Sequence, residues 1–221
     1  MSMSQPNRST TGRVPEGDIE AVSIDLARFL INKSLTKFPI KRADILKFLN
    51  TIREGLSRSA NEILINVNRK LKNVYGFKLV ELNSKSQYIL VLYEEDLTTN
   101  TEENQPIKHY SLLIASLAHI FMSGGYVKED AMWKFLERAS LMEENDATVK
   151  KILTHQFTKE LYLNYVKTGE LDNPKYVFNW GPRAAQEMPK TFLLKKIGEA
   201  FNREPEYWYE QNKDANSAPS P

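Results

Sequence analysis

The chain runs twice through one order of elements, and this repetition constrains its fold more than any single residue does. The first pass opens with Ile19, Val22, Leu26, Phe29 and Leu30 at helical spacing. Pro39 interrupts, and Ala43, Ile45, Leu46 and Leu49 then give a short second helix. Ser59-Ala60-Asn61-Glu62 has the form of a capping box, with a hydroxyl and a carboxylate each placed to satisfy an orphan amide. A third helix carries Ile63, Leu64, Val67, Leu71 and Val74 on one face and ends at Gly76. Phe77 to Leu82 and Tyr88 to Tyr93 follow as two β-rich runs around Asn83-Ser84-Lys85-Ser86, the pattern of a hairpin.

The second pass begins after a polar stretch. Ile107, Tyr110, Leu113, Ile114, Leu117, Ile120 and Phe121 form a long amphipathic helix stopped by Gly124-Gly125. Lys128 to Leu141 is the next helix, with Met132, Phe135 and Leu136 inward, and Asp146 can cap a third through Val149, Ile152, Leu153 and Phe157. Leu161 to Val166 and Tyr176 to Trp180 make a second hairpin, and Met188 to Phe201 a closing helix. The duplication is of pattern only, with no residue-level repeat. Three helices and a hairpin, taken twice, predict a mainly α chain with small β-hairpins (α+β), organised as tandem winged-helix domains. Residues 18–96 form the first module, 97–105 an acidic linker and 106–211 the second module. Residues 1–17 and 212–221 are too polar to offset their ordering entropy and are expected to be disordered tails.

Basic and acidic residues nearly balance, 30 against 28. The balance is not local: Arg28 to Lys85 holds thirteen Lys/Arg and four Asp/Glu, whereas Glu94 to Glu103 holds five acids and no base. A basic first half suits contact with nucleic acid, although most basic faces are simply solvated. The chain has no cysteine, which removes disulfides, thiolate zinc sites and cysteine nucleophiles together. Its first residues carry no apolar run of a signal peptide, and no window approaches a membrane span. A soluble, intracellular protein without membrane contact is expected.

Nothing in the chain has the pattern of a catalytic or cofactor site. Gly124-Gly125 is followed by Tyr126 and lacks the Lys-Ser/Thr of a phosphate loop. His109 and His119 are separated by about 15 Å of helical rise, too far to share a metal ion. Glu143, Glu144 and Asp146 read as a solvated turn and a cap. The expectation is a non-enzyme with no cofactor and no metal.

Lys175-Tyr176-Val177-Phe178-Asn179-Trp180-Gly181-Pro182-Arg183-Ala184 is the most distinctive segment. Its aromatics alternate at strand period, and Gly181-Pro182 stops the strand. On physical grounds this is a buried strand with a hard end, in which Asn179 and Trp180 pack and Arg183 pairs with a carboxylate or reaches a phosphate. The string Trp-Gly-Pro-Arg-Ala after an aromatic strand also resembles the late signature of the MAGE homology domain. Phe38-Pro39-Ile40-Lys41-Arg42-Ala43-Asp44-Ile45-Leu46 resembles that family's early segment, in the right order and at about the right distance. Tyr176, Phe178, Trp180, Gly181, Pro182 and Arg183 are thus a family signature, mostly structural in role.

The resemblance spans roughly residues 19–209 and implies the tandem winged-helix fold. It also implies a non-enzymatic scaffold, able at most to stimulate a partner. MAGE-like proteins bind RING-type ubiquitin ligases, and the single-copy member resembles a kleisin-binding subunit of the SMC-five/six chromosome-maintenance complex. The chain's shortness and basic first module favour that member, expected to act in DNA repair in the nucleus on chromatin, with a cytoplasmic location as the alternative. The implied partners are a RING ligase subunit, a kleisin, the SMC ATPases through the complex, and DNA bound without sequence preference. The family's paired-leucine motif falls on Phe29-Leu30-Ile31, where the second leucine is isoleucine. Adjacent helical positions lie about 100° apart, so Leu30 and Ile31 cannot share one core direction and one is available to the RING partner.

The closing helix is apolar on more than one side, so Phe192, Leu193, Leu194, Ile197 and Phe201 are expected to dock a kleisin helix, with Leu194 outward. Lys150, Lys151 and Lys159 occupy the third helix of the second module, the recognition position of a winged helix, and Lys190, Lys195 and Lys196 the closing helix. These lysines are the expected phosphate contacts. Two alternatives stay open. One is a MAGE-type RING cofactor outside the SMC complex. The other is a stand-alone winged-helix regulator that reads bases with Asn61, Asn66, Asn68, Arg69 and Lys70.

Overall fold

A computed structural model describes residues 16–82, 86–92, 107–169 and 175–217. The expected linker, almost all of the expected N-terminal tail, the turn residues 83–85 and Tyr93 lie outside these residues. The chain divides into two compact units, one of residues 1–36 and 40–93, the other of residues 37–39 and 94–221.

In the first unit, α1 (Glu16–Ser34), α2 (Arg42–Ile52) and α3 (Ala60–Tyr75) surround a core of Leu26, Leu30, Ile45, Leu49, Ile63, Val67 and Leu71, each fully shielded from water. Gly76 ends α3 in the left-handed conformation, φ +69°, and its amide closes on the carbonyl of Leu71. The hairpin of β2 (Phe77–Leu82) and β3 (Gln87–Leu92) pairs antiparallel, Leu79 opposite Leu90. A third strand, β1 (Ile40–Lys41), joins the other edge of β3. Two residues carry too little alternation to be read as a strand from sequence. The capping box does not form, because Ser59 ends a 3₁₀ turn (Leu56–Ser59) and makes no side-chain cap.

The second unit repeats the plan with additions. α4 (Ile107–Met122) ends where Gly124 and Gly125 both take positive φ, +86° and +96°. β4 (Tyr126–Lys128) and α5 (Glu129–Arg138) follow, so the helix expected from Lys128 begins one residue later and its lead-in is a strand. The Asp146 cap does form: its Oδ1 accepts from the amides of Thr148 and Val149 at 2.9 and 3.1 Å. The helix it starts is not regular, running as α6 (Ala147–Lys151), a π-helical turn (Ile152–Gln156) and α7 (Phe157–Lys159). β5 (Leu163–Thr168) and β6 (Lys175–Trp180) pair with Leu163 opposite Trp180, and β4 adds to the far edge of β6. The described residues are mainly helical with two small antiparallel sheets, the α+β class expected.

Among the described residues, three further α-helices follow: α8 (Pro182–Glu187), α9 (Lys190–Phe201) and α10 (Tyr209–Asn216). The disordered tail expected from residue 212 is therefore corrected, since residues up to Asn216 are helical. Composition missed this helix because its anchors are tertiary. Trp208 and Ala215 pack against Leu193, Leu194 and Phe121, Gln211 donates to the carbonyl of Met122, and Asp214 pairs with Lys190 at 2.8 Å.

Candidate protein and nucleic-acid interfaces

The aromatic strand and its Gly-Pro stop form a closed structural network. Phe178 is fully buried between Trp133 and Tyr165, with ring centroids 5.4 and 4.8 Å away. Tyr176 stacks on Tyr165 at 4.7 Å, and the indole of Trp180 donates to the carbonyl of Leu117 at 3.0 Å. The turn after the strand is equally engaged. The amide of Gly181 bonds to the carbonyl of Tyr162 at 2.8 Å, and Pro182 starts α8, where it needs no donor. Arg183, 4% exposed, donates from Nε to the carbonyl of Glu160 at 2.7 Å and from Nη1 to Glu187 at 2.8 Å. Glu187 also accepts the Tyr162 hydroxyl at 2.7 Å, and burial first, then this carboxylate, pushes the Tyr162 phenol far above its ordinary range. Of the two roles open to Arg183, pairing with a carboxylate is the one realised. Asn179 Oδ1 is buried without a partner.

At the end of α1 the paired-leucine positions separate. Leu30 is completely buried, which corrects its assignment as a partner contact: its side chain is core. Phe29 is half-buried and stacks on Phe48 at 4.3 Å, and Ile31 is half-buried at the core's margin. Leu35, one turn beyond Ile31, is 77% exposed and was not singled out from sequence.

On α9 the expected outward residue is wrong. Leu194 is 1% and Leu193 4% exposed, both turned into the cluster with Phe121, so neither is open to a partner helix. Three consecutive apolar residues do not reveal which of them faces the core. Phe192 and Ile197 are half-buried, and Phe201 is 69% exposed. Phe201 meets Trp208 edge-on at 6.2 Å, and Tyr207 packs on the same indole at 5.1 Å, making an exposed aromatic group between α9 and α10.

The lysines divide by their partners. Lys190 is held by Asp214 and lies over the Trp180 and Phe121 rings, and Lys196 pairs with Glu199 at 2.8 Å. Lys150 is half-buried, bonded to Asn145 at 3.4 Å and set over Trp133. All three, expected as phosphate contacts, have partners within the protein. Lys151, Lys159 and Lys195 are exposed, and no ion pair engages them among the described residues. The α3 residues expected to read bases are also occupied. Asn61 accepts from Arg42, Asn66 from Arg69, and Asn68 from the Leu79 amide at 3.0 Å, while Lys70 pairs with Glu20. No group of His, Asp and Glu able to hold a metal occurs among the described residues. No helix among them is long and apolar enough to cross a membrane.

The MAGE homology domain model matches residues 26–112 and 89–191. The chain belongs to the MAGE family. It is 35% identical over 204 residues to the human non-structural maintenance of chromosomes element 3 homolog, covering 86% of this chain and 64% of that protein. The mouse protein of the same name is 32% identical over 227 residues, with 97% and 77% covered. Human melanoma-associated antigen D4 is 32% identical over 188 residues, 83% of this chain but 25% of that one. A chain of a solved Nse1-Nse3-Nse4 complex superposes with TM-score 0.79 at 29% identity, over 92% of this chain and all of its own length. The chain thus spans a little under two thirds of its human relative. Both MAGE signature segments hold the fold here: Ile40 and Ile45 are core, and Arg42 Nη1 donates to the Tyr88 hydroxyl at 2.6 Å.

Proposed function

We propose that this protein is a non-enzymatic interaction subunit of an SMC-five/six complex, built from two winged-helix units. In this reading it joins a RING-type ubiquitin ligase subunit to a kleisin subunit and adds DNA binding in repair, in the nucleus. Contact with the SMC ATPases is through the complex, and any effect on ubiquitin transfer is stimulation of the RING partner. The likeness to one chain of the Nse1-Nse3-Nse4 complex over 92% of this chain carries the reading. The exposed Leu35 and the Phe201–Tyr207–Trp208 group supply apolar surface of the kind partner helices cover.

The test is co-expression with the RING and kleisin subunits of the same source, followed by size-exclusion chromatography with light scattering. A stable complex of all three is the expected result. Migration of this chain alone overturns the reading, and capture of the RING subunit without the kleisin favours a RING cofactor outside the SMC complex. A base-reading regulator is disfavoured by the internal engagement of Asn61, Asn66 and Asn68.

A further inference from the structure

Two hydroxyl groups close the end of α1. A helix leaves its last four carbonyls without intrahelical donors, and in α1 these belong to Ile31, Asn32, Lys33 and Ser34. Ser34 Oγ donates to the carbonyl of Ile31 at 2.7 Å, and Thr36 Oγ1 donates to the carbonyl of Lys33 at 3.0 Å. The amide of Thr36 reaches the same Lys33 carbonyl only at 3.4 Å, so the hydroxyl is the closer of its two donors. Leu35 stands between these two residues, 77% exposed.

The setting of Thr36 is that of a phosphoacceptor. It is exposed, it lies in the turn after α1, and Lys33 stands three residues before it. A basic side chain at that distance, on an accessible segment outside regular structure, is what a basophilic serine/threonine kinase reads in a substrate. The same spacing sets Lys108 before Ser111 and Lys151 before Thr154, but those two hydroxyl residues are half-buried within helical segments.

We propose that Thr36 is a phosphorylation site, and that its phosphate loosens the final turn of α1 and closes the surface around Leu35 to an apolar partner. The reaction moves the γ-phosphoryl group of ATP. A P–O bond forms to Thr36 Oγ1, the bond from the γ-phosphorus to the bridging oxygen breaks to leave ADP, and the hydroxyl proton passes to the base of the kinase. That proton is the one now donated to the Lys33 carbonyl, so modification removes the closing bond in the same step. The phosphate also carries about −1.5 to −2 charges to the negative end of the helix, where the exposed carbonyls repel it. Lys33 and Lys37 flank it in sequence, but ion pairs on an exposed surface contribute little and supply no donor for the carbonyl. A dianion beside Leu35 must also shed its water before an apolar contact can form there. The effect on binding rests on the RING part of the proposed function, whereas the effect on the helix end does not.

The experiment treats the full chain with ATP and the catalytic subunit of cyclic-AMP-dependent protein kinase, a basophilic enzyme, and maps the phosphate by mass spectrometry. Modified and unmodified chains are then compared by hydrogen exchange and by capture of the RING subunit. Phosphate is expected on Thr36. Amides at the end of α1 should then exchange about tenfold faster, because the turn opens more often. RING capture should weaken by about tenfold or more, while kleisin capture stays unchanged. Thr36→Val removes the hydroxyl without adding charge and should speed exchange with little loss of RING affinity, whereas Thr36→Glu should produce both effects. Thermal melts identify any variant that fails to fold, and the wild-type comparison needs none of them. Phosphate found only at other residues overturns the site. Modification of Thr36 with unchanged exchange overturns the loosening, and faster exchange with undiminished RING capture overturns the closing of the surface. An unmodified chain that never captures the RING subunit removes the RING reading, and faster exchange on phosphorylation then still supports the site and the loosened turn.

Discussion

The backbone carbonyl of Leu161 lies so close to Gly181 that a Cβ on the glycine would stand 2.2 Å from its oxygen. Leu161 itself holds φ +66°, and its carbonyl accepts the amide of Arg183 at 3.0 Å. Two bent segments thus meet backbone to backbone, which only a residue without a side chain allows. The glycine is required by contact and not by its own dihedral, since its φ is −83°.

Gly181→Ala is therefore expected to destabilise. Alanine reduces the freedom of the unfolded chain, worth about 0.4–1 kcal/mol of stability. The clash falls on backbone that cannot swing away, and such overpacking costs about 1–3 kcal/mol. The steric effect wins, and urea denaturation should show a lower midpoint. An unchanged midpoint would mean that the Leu161 turn relaxes freely.

Leu30 and Leu35 should separate under mutation. Leu30→Ala empties a fully buried site and is expected to cost about 2–5 kcal/mol. Leu35→Glu alters a side chain 77% exposed and should leave the melting temperature nearly unchanged while weakening capture of the RING subunit. Full RING affinity in that variant would move the contact away from the end of α1.

A similar contrast applies to the kleisin side. Leu194→Glu places a carboxylate in the Phe121–Leu193 cluster and should unfold the α9–α10 region, visible as lost helicity. Phe201→Ala should keep the fold and reduce kleisin affinity, read by titration calorimetry. Equal affinity in Phe201→Ala would remove the aromatic group from the interface.

Acid should weaken the fold through His119. Burial lowers its pKa below the ordinary histidine value, and its ring stacks on Phe135 at 4.0 Å. The unfolded chain then binds the proton first. Stability is full above the unfolded pKa, near 6.5, and falls as pH drops through that value toward the lower folded one. Melts between pH 7.5 and 5 should show this loss, and His119→Phe should show less of it. An identical pH profile in the variant would assign the loss to other groups.

Much of this fold was legible along the chain, because amphipathic period and hard stops are local properties. Leu26, Leu71 and Leu136 declare their helices by spacing, Gly76 and Gly124-Gly125 end theirs by conformation, and Asp146 caps as its position predicts. The two-residue β1 and the three-residue β4 exist only because β3 and β6 offer them free edges. Helix α10 exists because Trp208, Ala215 and Asp214 find partners on α9 and α4. Which member of Phe192-Leu193-Leu194 faces inward, and which lysine keeps its charge free, are likewise settled across the fold. Sequence determined the order and chemistry of the elements, since those depend on neighbours a few bonds away. The tertiary structure decided burial and charge pairing, since those depend on residues such as Lys190 and Asp214 that meet only once the chain has folded.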